Sequence, residues 1–156
     1  MRVDGPGRSM KKEAGFTLVE LMVVIAILGI LAITAMPFYQ TWQQRAYGSE
    51  ASLMMKTIID GEIMHYLEHN EFFPPAGNNV IIPPAGATSP ETAIQDVLTA
   101  LKITIPQGHN LEYLITNYGD YAYITIRALF PLFKDGHKEL HCQLDKTGKT
   151  YTFSGG

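Results

Sequence analysis

The sequence predicts an α+β fold in which one long N-terminal helix packs on a small antiparallel sheet. Three observations support this prediction: an apolar run begins at Phe16, a helical stripe of apolar residues follows in residues 51–67, and short alternating runs separated by turn residues fill the second half of the chain. These patterns are typical, in that order, of a membrane-spanning helix, an amphipathic helix and antiparallel strands. One face of the sheet needs cover, and the amphipathic stripe is expected to supply it.

The apolar run has the length of a membrane-spanning helix. Residues 21–36 carry no charge, and together with residues 16–19 they make a run interrupted only by Glu20. At about 1.5 Å per residue, a helix of about twenty residues crosses the hydrocarbon core of a bilayer. Four basic residues precede the run, which predicts that the N-terminus stays in the cytoplasm and the rest of the chain lies outside. These basic residues are Arg2, Arg8, Lys11 and Lys12.

Glu20 is the residue that the two simplest interpretations of this apolar run do not explain. A plain membrane anchor explains the length and the basic flank, and a secretory signal peptide explains the basic start, with small residues for a cut at 32–35. Neither explains a carboxylate inside the run, which costs about 2.5–3.5 kcal/mol at the centre of a membrane helix and less toward its end. Glu20 is therefore expected to have a function and a partner.

The residues around Glu20 resemble those of a known family. Residues 15–25, GFTLVELMVVI, are similar to the class III signal sequence of type IV pilins and type II secretion pseudopilins, and the basic residues before them fit its short leader. Gly29 and Pro37 fall where that family tolerates helix-weakening residues. The resemblance is strong over residues 10–47 and weak afterwards.

The resemblance implies how this segment is processed and used. A prepilin peptidase is expected to cut between Gly15 and Phe16 and to methylate the new amino group of Phe16. Glu20 is expected to pair with the Phe16 amine of a neighbouring subunit in a filament. Elementary electrostatics agrees, because each charge is unfavourable alone in a low-dielectric helix bundle and tolerable when paired.

The resemblance also implies an organisation for the whole chain. Residues 1–15 are expected to be a leader peptide, residues 16–38 a transmembrane and assembly helix, and residues 39–156 an exported globular domain of pilin-like fold. The leader counted from Met1 is long for this family. Counted from Met10 it is more typical, so Met10 is expected to be the start.

A structural role follows from the resemblance. The chain is expected to be a major or minor subunit of a type IV pilus-like filament, with no enzymatic activity and no cofactor. Its implied partners are other copies of itself in a helical filament, the prepilin peptidase, the inner-membrane assembly machinery, and the membrane, which it crosses once. It would lie in the inner membrane before assembly and in a periplasmic or cell-surface filament afterwards. A type II secretion pseudopilin is the alternative, and a membrane-anchored binding domain is a third candidate.

The second part of the predicted helix carries the amphipathic stripe. Apolar residues recur at every fourth position as Met55, Ile59, Ile63 and Leu67, with Ala51, Ile58 and Tyr66 beside them. Glu62 is expected to lie largely off this stripe. Gly48 and Gly61 are expected to weaken the helix, because glycine is unfavourable in helix interiors.

The remainder of the chain predicts a loop, a short helix and a sheet. Residues 72–90 contain two double prolines and are predicted to be a loop. Ser89 and Pro90 fit the N-cap and first position of a helix whose apolar stripe ends at Leu101. Four alternating runs then predict a three- or four-stranded antiparallel meander. These runs are residues 111–117, 121–128, 138–145 and 150–154.

Other chemistry-bearing residues suggest no catalytic, metal or nucleic-acid site. The formal net charge of −3 does not suit nucleic-acid binding. His65 and His69 have the i, i+4 spacing of two metal ligands, but no further ligand is specified, so a solvated helix end is favoured and no metal is predicted. His137, His141 and Cys142 make a weaker cluster, since the last two point to opposite faces of a strand. Cys142, the one cysteine, is expected to be a small buried hydrophobe.

Overall fold

The computed structural model describes residues 15–87, 91–106 and 108–155. Residues 1–14 of the predicted leader and the predicted helix cap at Ser89 and Pro90 lie outside the described residues. Within them, the predicted α+β class is confirmed: a long N-terminal helix precedes a small antiparallel sheet, with a second, short helix between the first two strands.

Helix α1 spans Leu18–His69. It continues past Gly29 and Pro37, and it is the one helix among the described residues that is long and apolar enough to cross a membrane. It ends where Asn70 adopts left-handed backbone with φ of 59° and donates its N–H to the Tyr66 carbonyl oxygen at 2.8 Å. Asparagine tolerates this conformation better than most residues, so the local sequence determines this helix end.

Five antiparallel strands form one meander in the order β1-β2-β3-β4-β5. They are β1 (Asn79–Ile82), β2 (Glu112–Asn117), β3 (Tyr121–Arg127), β4 (Glu139–Asp145) and β5 (Thr150–Gly155). The last four match the predicted runs to within one residue at each end. The predicted strand number was wrong, because β1 forms inside the predicted loop. Its register places Val80 opposite Ile115 and Ile82 opposite Tyr113, so its β-branched run gains a partner strand that local turn residues do not reveal.

Helix α2 spans Glu91–Leu101 and lies between β1 and β2 along the chain. Its predicted apolar stripe is confirmed in part: most of the stripe joins the core on the inner face of the sheet, whereas Leu98 is 38% exposed. The buried side chains are those of Ala93, Val97 and Leu101. The helix ends at Lys102, which has φ of 58° and whose Nζ lies 2.7 Å from Oε1 of Glu68 on α1.

The second part of α1 covers the inner face of the sheet together with α2. Its buried residues are Gly48, Ala51, Met54, Met55, Ile58, Gly61 and Glu62. The predicted stripe was therefore partly wrong: Leu67 is 74% exposed, and Glu62, expected off the stripe, is fully buried. Because a turn holds 3.6 residues, a four-residue repeat advances about 40° around the helix at each step, and its distant members leave the face on which Ile58 lies.

Gly48 and Gly61 lie where α1 comes closest to neighbouring backbone. A Cβ on Gly48 would lie 2.6 Å from the carbonyl oxygen of Leu132, and a Cβ on Gly61 would lie 3.0 Å from the carbonyl oxygen of Leu101. Both glycines are buried. They were expected to weaken the helix, but their lack of a side chain is what allows this packing.

Candidate functional site

The start of α1 is closed by reciprocal hydrogen bonds between Thr17 and Glu20. The amide and the hydroxyl of Thr17 each donate to Oε2 of Glu20 at 2.7 Å, and the Glu20 amide donates to the Thr17 hydroxyl oxygen at 3.2 Å. This arrangement is a capping box, in which two side chains satisfy backbone donors at a helix start. Sequence analysis singled out Glu20 and missed Thr17, although the Thr-x-x-Glu spacing indicates this motif.

The cap uses one of the two carboxylate oxygens of Glu20. Both bonds from Thr17 reach Oε2, and Oε1 receives no hydrogen bond from the residues that the structure describes. The residue is exposed. An ionised carboxylate has lone pairs on both oxygens, so Glu20 can accept a further hydrogen bond from a donor outside the chain without giving up its cap.

Gly15 and Phe16, the two sides of the predicted cut, lie just before α1. Phe16 is 89% exposed, and a Cβ placed on Gly15 would have no neighbouring atom within 4 Å. Packing within the described chain therefore does not require a glycine at position 15.

The first part of α1 presents an apolar surface on all sides. Every residue from 18 to 40 is exposed, so none of the apolar side chains in this part of the helix is buried within the chain. A helix that is hydrophobic all round is expected to be surrounded by lipid or by other protein. Gly29 lies in this part, and a Cβ on it would meet no atom within 4 Å.

Glu62 is a buried carboxyl group that sequence analysis missed. Its Oε2 accepts the Phe73 N–H at 3.0 Å, and its Oε1 has no hydrogen-bond partner among the described residues. Burial disfavours the charged form and raises the pKa of Glu62 to about 8, while the hydrogen bond from Phe73 opposes this rise. The helical face shared by Ala51, Met55, Ile58 and position 62 is the pattern that could have predicted its burial.

A buried amide completes the anchoring of the segment that follows α1. The Asn117 side chain donates through Nδ2 to the carbonyl oxygens of Phe72 and Pro74, at 2.8 Å each, and its Oδ1 accepts the Gly119 N–H at 2.7 Å. Glu62 and Asn117 therefore hold the same short segment from two elements. That segment leads directly into β1.

The histidine and cysteine clusters singled out in the sequence are close together in one case and separated in the other. Among the described residues, no group of three or more His, Cys, Asp or Glu side chains is positioned to hold a metal ion. The rings of His65 and His69 do lie together, with centroids 4.4 Å apart and planes at 24°. Cys142 is buried in the core, as predicted, whereas Nδ1 of His141 lies 3.1 Å from the Thr125 hydroxyl on the opposite face of the sheet, so these two do not share a site.

The N-terminal segment matches a known family. Residues 10–36 match the family described as the prokaryotic N-terminal methylation motif. The match includes Gly15, Phe16, the capped Glu20 and most of the exposed apolar part of α1. The motif and the geometry of the helix start therefore fall on the same residues.

Several curated relatives are similar to part of the chain. The fimbrial protein of Neisseria meningitidis serogroup B is 48% identical over 67 residues, which is 43% of this chain and 38% of that protein. Type IV major pilin protein PilE1 of Neisseria gonorrhoeae is 43% identical over 83 residues, which is 53% of this chain and 36% of the relative. Type IV major pilin protein PilA of Myxococcus xanthus is 38% identical over 61 residues, or 39% and 28% of the two chains.

These matches cover the relatives only in part. The chain spans between 28% and 38% of the length of the three relatives. No solved structure matches the chain.

Sequence, fold and relatives agree on one family. The methylation motif lies on a helix whose apolar part is exposed on all sides. The long helix and the small antiparallel sheet are consistent with a pilin α+β fold. The matching relatives are named fimbrial or type IV major pilin proteins. The N-terminal part of the chain is therefore similar to type IV pilins, and its fold is consistent with theirs.

Proposed function

We propose that this chain is a structural subunit of a type IV pilus-like filament, assembled through the exposed apolar part of α1. The observation that carries the proposal is the coincidence of the methylation motif with an apolar helix that buries none of its side chains in its own chain. Such a surface is suited first to a bilayer and then to a bundle of identical helices. The role is structural and not enzymatic.

Processing makes the helix ready for assembly. A prepilin peptidase cuts between Gly15 and Phe16 and methylates the new amino group of Phe16. The cut spares Thr17 and Glu20, so the capping box persists in the mature chain. The open space around Gly15 supports a steric requirement imposed by the peptidase and not by the fold.

Glu20 acts as a docking and register residue during assembly. Its Oε2 is held by Thr17, which fixes the carboxylate near the start of α1 and leaves Oε1 available to a second donor. In a filament core, neighbouring helices replace water, and an unpaired carboxylate is strongly unfavourable there. The Phe16 amine of an adjacent subunit satisfies this charge in one axial register and leaves it unsatisfied in others.

The location of the chain follows from the same segment. It is inserted once in the inner membrane with a cytoplasmic N-terminus, and assembly machinery in that membrane moves it into a periplasmic or cell-surface filament. A type II secretion pseudopilin shares the N-terminal segment and remains the alternative. The pilin names of the matching relatives favour the pilus.

The processing step is tested by mass spectrometry of the mature protein. We expect Phe16 at the N-terminus, carrying a methyl group. Gly15→Val should block the cut without disturbing the fold, because the added side chain meets no atom of the described chain. A mature N-terminus near Ala35 would indicate an ordinary signal peptide and would overturn the proposal.

The assembly step is tested by a pair of variants in the capping box. Glu20→Ala removes the carboxylate, whereas Thr17→Ala weakens the helix cap by about 1 kcal/mol and keeps the carboxylate. We expect Glu20→Ala to be cut normally and to lose most sheared filaments, and Thr17→Ala to retain most of them. Equal loss in both variants would assign Glu20 a capping role only. Normal assembly of a fully cut Glu20→Ala chain would contradict the docking role.

A further inference from the structure

A surface cavity of about 300 Å³ lies between α1 and the segment that follows β3. Its floor is apolar and includes the buried residues Gly48 and Leu132. The two backbones come close at this point, since a Cβ on Gly48 would lie 2.6 Å from the Leu132 carbonyl oxygen. The cavity is at the small end of the size range of ligand pockets.

The charged side chains that line the cavity are cationic. They are Arg45 on α1 and Lys134 in the segment after β3, and none of the described residues that line the cavity is acidic. Neither cation has an ion-pair partner among the described residues. The acid next to Lys134 is Asp135, whose carboxylate accepts the His137 N–H at 3.3 Å. Because the whole chain has a net charge of −3, the cavity is a local basic site on an acidic protein.

Two contacts position the loop that carries Lys134. The Gly136 N–H donates to the Phe133 carbonyl oxygen at 3.1 Å, which closes a turn around Lys134. The ring of Phe130, in the same segment, contacts that of Tyr47 on α1, with centroids 4.8 Å apart. The loop is therefore held against α1, and the fold brings both cations to one cavity before a ligand binds.

The serine hydroxyls of the cavity already donate hydrogen bonds within α1. Ser49 and Ser52 each donate to a carbonyl oxygen of the helix, at 2.8 and 2.9 Å respectively. A hydroxyl has a single hydrogen, so neither serine can donate to a ligand while these bonds last. The strongest donors that remain are the guanidinium of Arg45 and the ammonium of Lys134, and both favour an anion.

The position of the cavity along the chain indicates where the anion comes from. Thr41, which also lines the cavity, comes just after the exposed apolar residues 18–39 of α1. This step rests on the proposed insertion of α1 in a membrane, because a helix that leaves the hydrocarbon core here passes through the lipid headgroups. Basic pockets beside such a segment bind anionic headgroups. The apolar floor also suits the carbon atoms of a lipid, which inorganic phosphate lacks.

We propose that this cavity binds the headgroup of an anionic phospholipid, with Arg45 and Lys134 contacting its phosphate. The planar guanidinium of arginine donates two parallel hydrogen bonds to phosphate oxygens, and lysine adds a compact charge. The bound lipid fixes the depth at which the unassembled subunit sits in the bilayer. A free phosphate ion shares the charge of the headgroup and is the competing occupant.

The proposal is tested by native mass spectrometry of the detergent-solubilised full chain, titrated with phosphatidylglycerol or with phosphatidylcholine of the same acyl chains. We expect one phosphatidylglycerol per chain, retained at lower lipid concentration than phosphatidylcholine, which has no net charge. Arg45→Gln and Lys134→Gln should each raise the concentration needed about fivefold, the effect of one cation at a membrane surface. Lys56→Gln is the matched control, because Lys56 is an exposed cation of α1 that does not line the cavity. It should retain the lipid as the unsubstituted chain does.

A competition measurement separates the lipid from a free anion. Sodium phosphate at millimolar concentration should not displace phosphatidylglycerol, and displacement would assign the cavity to a free anion and overturn the proposal. Equal retention of the two lipids would overturn it as well, and so would an equal loss in Lys56→Gln. Arg45 and Lys134 are exposed, so the far-UV circular dichroism of their variants should match that of the unsubstituted chain.

This inference and the proposed filament can fail separately. Lipid retention is measured on the unassembled chain, whereas assembly is measured by counting sheared filaments. Filaments formed by a chain that does not prefer phosphatidylglycerol would contradict only the lipid site. Preferential retention of phosphatidylglycerol by a chain that forms no filaments would contradict only the proposed assembly.

Discussion

The two parts of α1 place apolar side chains in opposite surroundings. In residues 18–39 every side chain is exposed, although this is the more apolar part. In residues 40–69 the buried apolar side chains share one face of the helix, and Ala51 and Ile58 are completely buried against the inner face of the sheet. The arrangement of apolar residues around the helix, more than their number, therefore decides which part of α1 is buried within its own chain.

The physical reason is the presence or absence of a polar side. A helix that packs on a soluble domain must offer one face to the core and another to water, and residues 40–69 do so. Residues 18–39 are apolar all round apart from Glu20, so packing one side would still leave apolar surface in water. Four sets of variants test this comparison, starting with the largest expected effect.

Truncating one aliphatic side chain in each part of α1 should give the largest difference in the free energy of unfolding. Ile58→Ala should lower the free energy of unfolding of the C-terminal unit, residues 40–156, by about 2–5 kcal/mol, because it leaves a cavity in the core. Leu31 is 56% exposed, so Leu31→Ala should change that free energy by less than about 0.5 kcal/mol. Urea titration of the detergent-solubilised chain measures both. Similar losses in the two variants would mean that the parts do not differ in how they stabilise the chain.

Glu62 makes the buried part sensitive to pH. Its pKa in the folded chain, about 8, is above the reference value of 4.5, so the unfolded chain releases this proton at lower pH than the folded chain does. The stability from this group is fully present below about pH 4.5 and is lost as the pH rises through about 8. The loss should amount to roughly a few kcal/mol. Urea midpoints measured across this range should therefore fall as the pH rises.

Two variants test whether Glu62 causes this pH dependence of stability. Glu62→Gln cannot ionise and should flatten the curve of urea midpoint against pH. Glu68→Gln is the control on the same helix. Glu68 is held by Lys102 and its pKa is lowered and not raised, so the fall in urea midpoint as the pH rises toward about 8 should remain when Glu68 is replaced. If the urea midpoint of Glu62→Gln still fell as the pH rose toward about 8, another group would be the cause.

Replacing one glycine by alanine in each part of α1 should give a smaller difference in stability between the two variants. A Cβ on Gly48 would lie 2.6 Å from the Leu132 carbonyl oxygen, so Gly48→Ala should destabilise the C-terminal unit by about 1–3 kcal/mol. Gly29→Ala meets no atom within 4 Å and should favour the local helix by about 0.5–1 kcal/mol. Urea titration measures the first and far-UV circular dichroism the second. A neutral Gly48→Ala would mean that α1 shifts to make room.

The smallest effect is expected at the end of α2. Lys102→Gly and Lys102→Ala both remove the ion pair with Glu68, but only glycine adopts the left-handed backbone of this position without cost. The glycine variant should therefore be more stable than the alanine variant by about 1 kcal/mol. Their urea midpoints give the difference directly. Equal midpoints would show that the left-handed conformation at position 102 costs nothing.

Much of the fold was predictable from local pattern. Hydrophobic period and turn residues predicted α1, α2 and strands β2 to β5, because those signals reside in neighbouring residues. Strand β1 was missed because the prolines around residues 80–82 indicate a loop, and its pairing partner on β2 is more than thirty residues away in the sequence. The capping box at the start of α1 could have been predicted from the spacing of Thr17 and Glu20. The orientation of the rings of His65 and His69 could not.

The sequence by itself determined the apolar run, its methylation motif, the position of Glu20 within it and the alternation of the later strands, because each is a property of adjacent residues. Only the tertiary structure decided that Glu62 is buried, that Gly48 packs against the Leu132 backbone and that β1 joins the sheet. The reason is geometric. A helix repeat specifies which residues share a face, but which face turns inward depends on the shape of the surface it meets, and that surface is built from residues far away along the chain.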